Sequence, residues 1–275
     1  MIVVTGATGN VGRPLVRALV EAGEQVTAVS RRVSAGDVPA GTRHHQADLI
    51  DPDRLKPTLA GAKALFLLTS GDFMAAGGDL GPVLDVAGES GVRRVVLLSS
   101  QGVGTGDHPS ALEDAVRASG PEWTMLRPGG FHSNALHWAD MVRARREVAA
   151  PFGDVALPTV DPADIAEVAA HALREPGHDG EVYELTGPAP VSPRQQTAAI
   201  GDALGETVNF LELTRAQARE HMLHAMPEPV VESTLDLLGT PPAALRAVSP
   251  DVERVLGRPA RTFAEWAGRN AGAFK

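Results

Sequence analysis

Short apolar runs alternate along the first half of the chain with segments whose apolar residues recur every three or four positions. Ile2, Val3 and Val4 form the first run. After a glycine-rich turn, Val11, Leu15, Ala18, Leu19 and Ala22 mark one face of a helix that Gly23 ends. Further strands are predicted over 25–30, 43–47, 64–69 (ALFLLT), 95–99 (VVLLS) and 123–126, with helices over about 74–90 and 109–119. Strands without a polar alternate face must be covered on both sides, and helical connections between them lead to parallel neighbours. The pattern therefore predicts an α/β fold built on a doubly wound parallel sheet.

Beyond Arg127 the alternation breaks up around Pro and Gly clusters at 127–130 (RPGG), 150–153 (APFG) and 187–190 (GPAP). A helix over 162–173, a strand over 182–185 and helices from about Ser192, Thr214 and Phe263 predict a smaller mixed C-terminal lobe that faces substrate. The expected division is a dinucleotide-binding domain over 1–150 and a mixed substrate lobe over 151–275, interwoven with the first.

The turn after the first strand reads TGATGNVG over 5–12. Three glycines occur by chance in a chain with 29 of them. These three close a strand and open a helix, which makes them a dinucleotide cradle of the Rossmann type. Gly6 turns the chain off the strand, Gly9 brings the backbone close to the pyrophosphate, and Gly12 lets the helix pack tightly. The diphosphate then lies against the amides and partial positive charge of the helix start. Gly6, Thr8, Gly9, Asn10, Val11 and Gly12 are the expected cradle, with Leu68 and Thr69 at the end of the fourth strand beside it. An acid at the end of the second strand would select a free ribose hydroxyl, but this chain has Ser30-Arg31-Arg32 there. A guanidinium grips a 2′-phosphate, so NADPH is expected ahead of NADH. Asp48 and Leu49, closing the third strand, are expected to border the adenine.

Composition narrows the chemistry. At 275 residues and 43% hydrophobic the chain can bury a sizeable core. It has no cysteine, which removes disulfides, thiol catalysis and cysteine-ligated metals. A formal net charge of −9 without a basic stripe argues against nucleic acid as a partner. No apolar run approaches the ~18 residues of a membrane span, and the chain opens on a strand instead of a charged leader, so a cytoplasmic protein without membrane contact is expected. No metal site is expected. His44 and His45 are neighbours on one strand and face opposite ways, and His221 and His224 lack zinc-motif spacing. No Gly-x-Ser-x-Gly elbow is present for a hydrolase.

TGATGNVG, VVLLSSQGV, WTMLRPGGF followed by Asn134, VDPADIAEVAA and VYELTGP occur in that order. By these segments the chain resembles the atypical short-chain dehydrogenase/reductases of the NmrA-like, NAD(P)H-binding group. The likeness spans nearly the whole chain and is weakest over 214–258. It implies a Rossmann fold, bound NADP(H), and a cleft between the cofactor domain and the C-terminal lobe. Both reductases of quinones and ketones and redox-sensing regulators belong to that group, so it leaves catalysis and sensing open.

One departure is sharp. Most short-chain reductases protonate the carbonyl with a Tyr and a Lys four residues later. This chain has one tyrosine, Tyr183, and its lysines are Lys56, Lys63 and Lys275, so the pair cannot form. Ser99 and Ser100, at the carboxyl end of the fifth strand, lie where open α/β sheets meet their ligands, and Ser100 is the first candidate to hold a substrate oxygen. His108 is a candidate acid near neutral pH, and Glu113 is expected to orient loop backbone or an arginine. Gln101, Phe131, His132, Asn134, His137 and Trp138 set aromatic faces beside polar groups, as a flat aromatic ligand needs. Met222 and Met226 read as core packing or as a flexible lid. The expected activity is NADPH-dependent reduction of a ketone or quinone on a bulky aromatic small molecule. The likeness to polyketide-tailoring ketoreductases, an antibiotic-biosynthesis role, adds the option that a phenol on the substrate supplies the proton. The alternative is a non-catalytic dinucleotide sensor that binds a protein partner. Oligomeric state is not legible in the sequence.

Overall fold

The computed structural model describes Met1 to Lys275, the side chain of Ala75 excepted. In chain order the first elements are β1 (Ile2–Val4), α1 (Gly12–Glu21), β2 (Val26–Ser30), β3 (Arg43–Gln46), α2 (Lys56–Leu59), β4 (Ala64–Leu67), α3 (Gly71–Ala75) and α4 (Gly81–Glu89). They are followed by β5 (Arg94–Leu98), α5 (Gln101–Thr105), α6 (Ala111–Ala118), β6 (Glu122–Pro128), α7 (Ala139–Arg145), β7 (Glu147–Pro151), α8 (Pro162–Arg174) and β8 (Glu181–Leu185). The chain ends with α9 (Pro193–Leu204), β9 (Asn209–Leu213), α10 (Arg215–Leu223), α11 (Glu228–Gly239), α12 (Ala243–Arg246), α13 (Asp251–Leu256) and α14 (Phe263–Asn270).

Two units divide the chain. The first takes Met1–Pro128, Pro162–Leu185 and Asp251–Arg258, and the second takes Gly129–Asp161, Thr186–Pro250 and Pro259–Lys275. The expected boundary at residue 150 falls inside the second unit.

The first unit is built on a seven-stranded sheet in the order β3-β2-β1-β4-β5-β6-β8, every pairing parallel. Its middle strands are apolar throughout because both faces are covered: Val3, Val4, Leu65, Phe66, Leu67, Val95, Val96 and Leu97 are at most 1% exposed. Each such side chain contributes about 1.5–3 kcal/mol of transfer free energy. Edge strand β3, by contrast, reads Arg-His-His-Gln and is largely exposed. The order reverses at β1, which has β2 on one side and β4 on the other, so a crevice opens beyond the carboxyl ends of these strands. The Thr5 hydroxyl fixes that point. It donates to the Phe66 carbonyl (3.0 Å) and accepts from the Leu68 N–H (2.9 Å).

Two of the predicted segments differ from expectation. The helix expected over 74–90 is two helices, α3 and α4, because Gly77 and Gly78 take positive φ (107° and 62°) and end the first. The segment 162–185, assigned above to the smaller lobe, belongs to the sheet. Strand β8 extends it beyond β6, with Leu126 opposite Tyr183, and α8 packs against α1. Pro and Gly clusters after Arg127 mark an excursion of the chain, after which it returns.

The second unit has its own core of Ala135, Val142, Val148, Ile200, Phe263, Trp266 and Phe274, and a two-stranded parallel sheet of β7 and β9. Three of its helices, α9, α10 and α14, start where the sequence places them, whereas α7, α11 and α12 were not expected. Ser192, Thr214 and Thr262 cap α9, α10 and α14, each in a reciprocal box with Gln195, Gln217 and Glu265. Met222 and Met226 pack beside a small cluster of Ala218, Val231 and Leu235. Among the described residues no helix is long and apolar enough to cross a membrane.

Candidate functional site

The glycine turn carries the site's first half. Gly6 has φ of 62°, a conformation that admits glycine at no steric cost, and its carbonyl accepts from the Gly9 N–H (2.9 Å) to tighten the turn. A Cβ at residue 12 would lie 2.1 Å from the Gly6 oxygen, so only glycine lets α1 begin against the turn. No side chain caps α1 and no acid stands in its first turn. Its dipole is left for an external anion. The Thr8 and Ser30 hydroxyls are 3.0 Å apart and tie the turn to the end of β2.

A groove of about 210 Å³ runs along the carboxyl ends of β1, β2, β3 and β4. Of the expected cofactor residues, Gly6, Thr8, Gly9, Arg31, Asp48, Leu49 and Leu68 line it. Others do not. Val11 and Gly12 are buried, Gly12 against the turn itself; Asn10 is exposed at the helix entrance, Arg32 is exposed beside Arg31, and Thr69 is half-buried between two lining residues. Thr5, Val29, Ser30, Ala47, Leu55 and Ser70 also line the groove; Thr5 and Ser30 stand in the two segments singled out in the sequence, and the other four were not expected there. Ser70 had a signal, since it caps α3 by accepting from the Phe73 N–H. The cradle, the uncapped helix start, a guanidinium at the end of β2 and an apolar flank together fit a dinucleotide with a 2′-phosphate. Arg31 forms an ion pair with Asp72 in α3, and this contact raises the arginine's already high pKa.

The second half lies at the end of β5. The Ser100 side chain caps α5, its Oγ accepting from the Gly102 N–H (3.1 Å), and the same Oγ lies 3.0 Å from Nδ1 of His108. His108 reaches it because its N–H bonds the Gly102 carbonyl (2.9 Å) and its ring fills the place of a side chain at Gly102, where a Cβ would be 2.6 Å from Nδ1. The sequence proposed Ser100 and His108 separately; the structure brings them together. Gly102 was the missing signal.

Ser99 turns elsewhere. Its hydroxyl donates to Glu113 (2.5 Å), which is 1% exposed and also receives Arg127 through two hydrogen bonds (2.9 and 2.7 Å) and Arg117 through one (2.7 Å). Burial pushes the Glu113 carboxyl up, but the hydrogen bonds from Arg127 and Ser99 and the Arg127 charge outweigh it and hold it below the ordinary range. Glu113 thus orients two arginines and braces the strand end. Tyr183 is buried in β8 with its hydroxyl 2.7 Å from His178, and desolvation raises its pKa.

The expected substrate residues divide. Gln101 is buried at the first position of α5. His132 packs within the second unit. It is buried, with its ring edge-on to Phe263 and Trp266 at 5.3 and 6.4 Å. Phe131 and Trp138 are half-buried, Trp138 against the same core, and Asn134 and His137 are exposed. A helix start that buries its first two residues and exposes the third explains the split.

The chain matches the NAD(P)H-binding family over residues 6–176. It is 37% identical over 283 residues to the (4-alkanoyl-5-oxo-2,5-dihydrofuran-3-yl)methyl phosphate reductase of Streptomyces griseus, covering 100% of this chain and 99% of that protein. It is 34% identical over 291 residues to an NAD(P)H azoreductase of Xenophilus azovorans, again covering 100% and 99%. Among solved structures, the NADPH-dependent quinone oxidoreductase of Escherichia coli complexed with NADPH superposes with a TM-score of 0.81 at 26% identity, over 98% of this chain and 99% of that one.

Proposed function

Since the chain belongs to the NAD(P)H-binding family, we propose that it is an NADPH-dependent reductase of a quinone or ketone on a bulky aromatic small molecule, with Ser100 and His108 delivering the proton. Full-length relatives that reduce a furanone phosphate and, by name, azo compounds support the reductase reading. Carbonyl, quinone and azo groups each accept one hydride and one proton. Bound NADPH supplies the hydride. Thr8, Gly9 and the start of α1 would hold its diphosphate, and Arg31 its 2′-phosphate.

The observation that carries the proton assignment is the 3.0 Å contact between Ser100 Oγ and His108 Nδ1. With the imidazolium donating to Oγ, the hydroxyl hydrogen is released toward the substrate oxygen as negative charge develops there. As Ser100 gives up this proton it takes another from Nδ1, and exposed His108 is recharged from solvent. This route replaces the absent Tyr/Lys pair and makes a phenol on the substrate unnecessary.

The test follows nicotinamide absorbance with a panel of quinones and hydroxyaryl ketones. Ser100→Ala should lower kcat by roughly ten- to a thousandfold, and His108→Ala by about a hundredfold, while Tyr183→Phe stays within a few-fold. Because the two residues act in series, the double variant should lose little more than the worse single one. A methyl ether of the phenol beside the reacting carbonyl should remain a substrate. If His108→Ala is fully active and the methyl ether is inert, the proton comes from the substrate. If no acceptor consumes NADPH although it binds, the sensor reading replaces the enzyme.

A further inference from the structure

We propose that Asp72 sets the dinucleotide preference of the groove by competing with the ribose 2′-phosphate for Arg31, an inference that rests on the NADPH reading above. Arg31 follows β2 directly, and Asp72 is in the first turn of α3, reached from β4. Those strands flank β1 on opposite sides. The ion pair therefore joins the two banks of the crevice beside the glycine turn. Arg31 and Ser70, two residues before Asp72, both line the groove that the dinucleotide would occupy.

The contact between them runs from Nη1 of Arg31 to Asp72. A two-pronged grip on phosphate needs two N–H groups of one guanidinium edge. A 2′-phosphate gains that grip by displacing Asp72 or by sharing the guanidinium with it at close range. Sharing places a dianion near a carboxylate, with the half-buried Asp48 as a further negative charge acting on Arg31. The Asp72 side chain is 71% exposed and that of Arg31 51%. An ion pair this exposed contributes little by holding the arginine in place, so repulsion decides the sign. NADH carries no 2′-phosphate and feels almost none of it. Asp72 thus moderates NADPH binding and narrows the gap between the two cofactors.

The experiment measures NADPH and NADH affinities by fluorescence titration on the full chain, for the unmodified protein, Asp72→Asn, Arg31→Gln and the double variant, with melting curves as a control of folding. Asp72→Asn should tighten NADPH roughly three- to tenfold, as expected for salt-screened repulsion between a carboxylate and a dianion several ångströms apart, and leave NADH within about twofold. Arg31→Gln should weaken NADPH and reduce the effect of Asp72→Asn. An NADPH preference that Asp72→Asn leaves unchanged or diminishes overturns the inference and leaves the cofactor reading intact. So does a gain from Asp72→Asn that persists in full without Arg31. Equal affinity for both dinucleotides in the unmodified protein and in Asp72→Asn alike overturns the cofactor reading itself, and the inference with it.

Discussion

Single atoms separate the roles of the cradle glycines. A methyl group on residue 12 meets the Gly6 oxygen at 2.1 Å, and backbone on both sides leaves nothing flexible to yield. Gly12→Ala should therefore destabilise the first unit by about 1–3 kcal/mol, as overpacking does, with a lowered Tm in the absence of ligand. At residue 9 a Cβ meets only that same oxygen, at 3.2 Å, and the residue is exposed on the groove. Gly9→Val should leave the circular dichroism spectrum near native and abolish NADPH binding. A Gly9→Val protein that binds NADPH normally would reduce the motif to a turn. At this scale the sequence was legible wherever backbone geometry alone decides, as in the glycine turn. The packing of His132 was not legible, because a histidine in a helix start looks alike in sequence whether it faces a ligand or packs against Phe263 and Trp266.

At the level of elements, Glu113 of α6 holds Arg127 of β6, Ser99 beyond β5 and Arg117 of its own helix, so a helix and two strand ends meet on one buried carboxylate. Its proton affinity is lower in the folded chain than in the unfolded one, so protonation favours unfolding. The stabilisation is complete above about 4.5 and is lost as pH falls through the lower folded value. Glu113→Gln should cost about 1.5–3 kcal/mol at neutral pH, the range for hydrogen bonds to charged groups. Melting curves of the variant and the parent should converge only as pH falls below about 4.5 and through the lower folded value; a constant difference down to strongly acidic solution would deny the network its charge. The middle strands of this sheet were legible because burial on both faces leaves short apolar runs, which their length and the turn residues at their ends mark as strands. The contact of Ser100 with His108 was not, because it depends on how α5 ends and on an empty position at Gly102 that periodicity does not register.

For the molecule as a whole, the expected cut at residue 150 would remove β8 and α8 from the sheet they complete. A fragment over 1–150 should leave the β6 edge unpaired and the face of α1 that packs on α8 uncovered. Size-exclusion chromatography should find it aggregated and its circular dichroism should lack a cooperative melt; a monomeric fragment with a sharp transition would make the returning segment dispensable. Composition and motif order gave the sheet correctly and led to an expectation of interwoven units, but they did not show which segments return, because a chain that leaves a domain and comes back carries the same local pattern as one that moves on to another.

That return also sets a timetable during synthesis. Strand β6 is made before its partner β8, and a ribosome adding 5–20 residues per second needs roughly three to eleven seconds to make the chain between their ends. Through that interval the nascent sheet offers an open edge that includes Met125 and Leu126, both fully buried once folding is complete. Translation speed across 129–185 thus determines how long each new copy stays able to pair with its neighbour on the same message, and slowing it should raise the aggregated fraction of a protein whose sequence is unchanged.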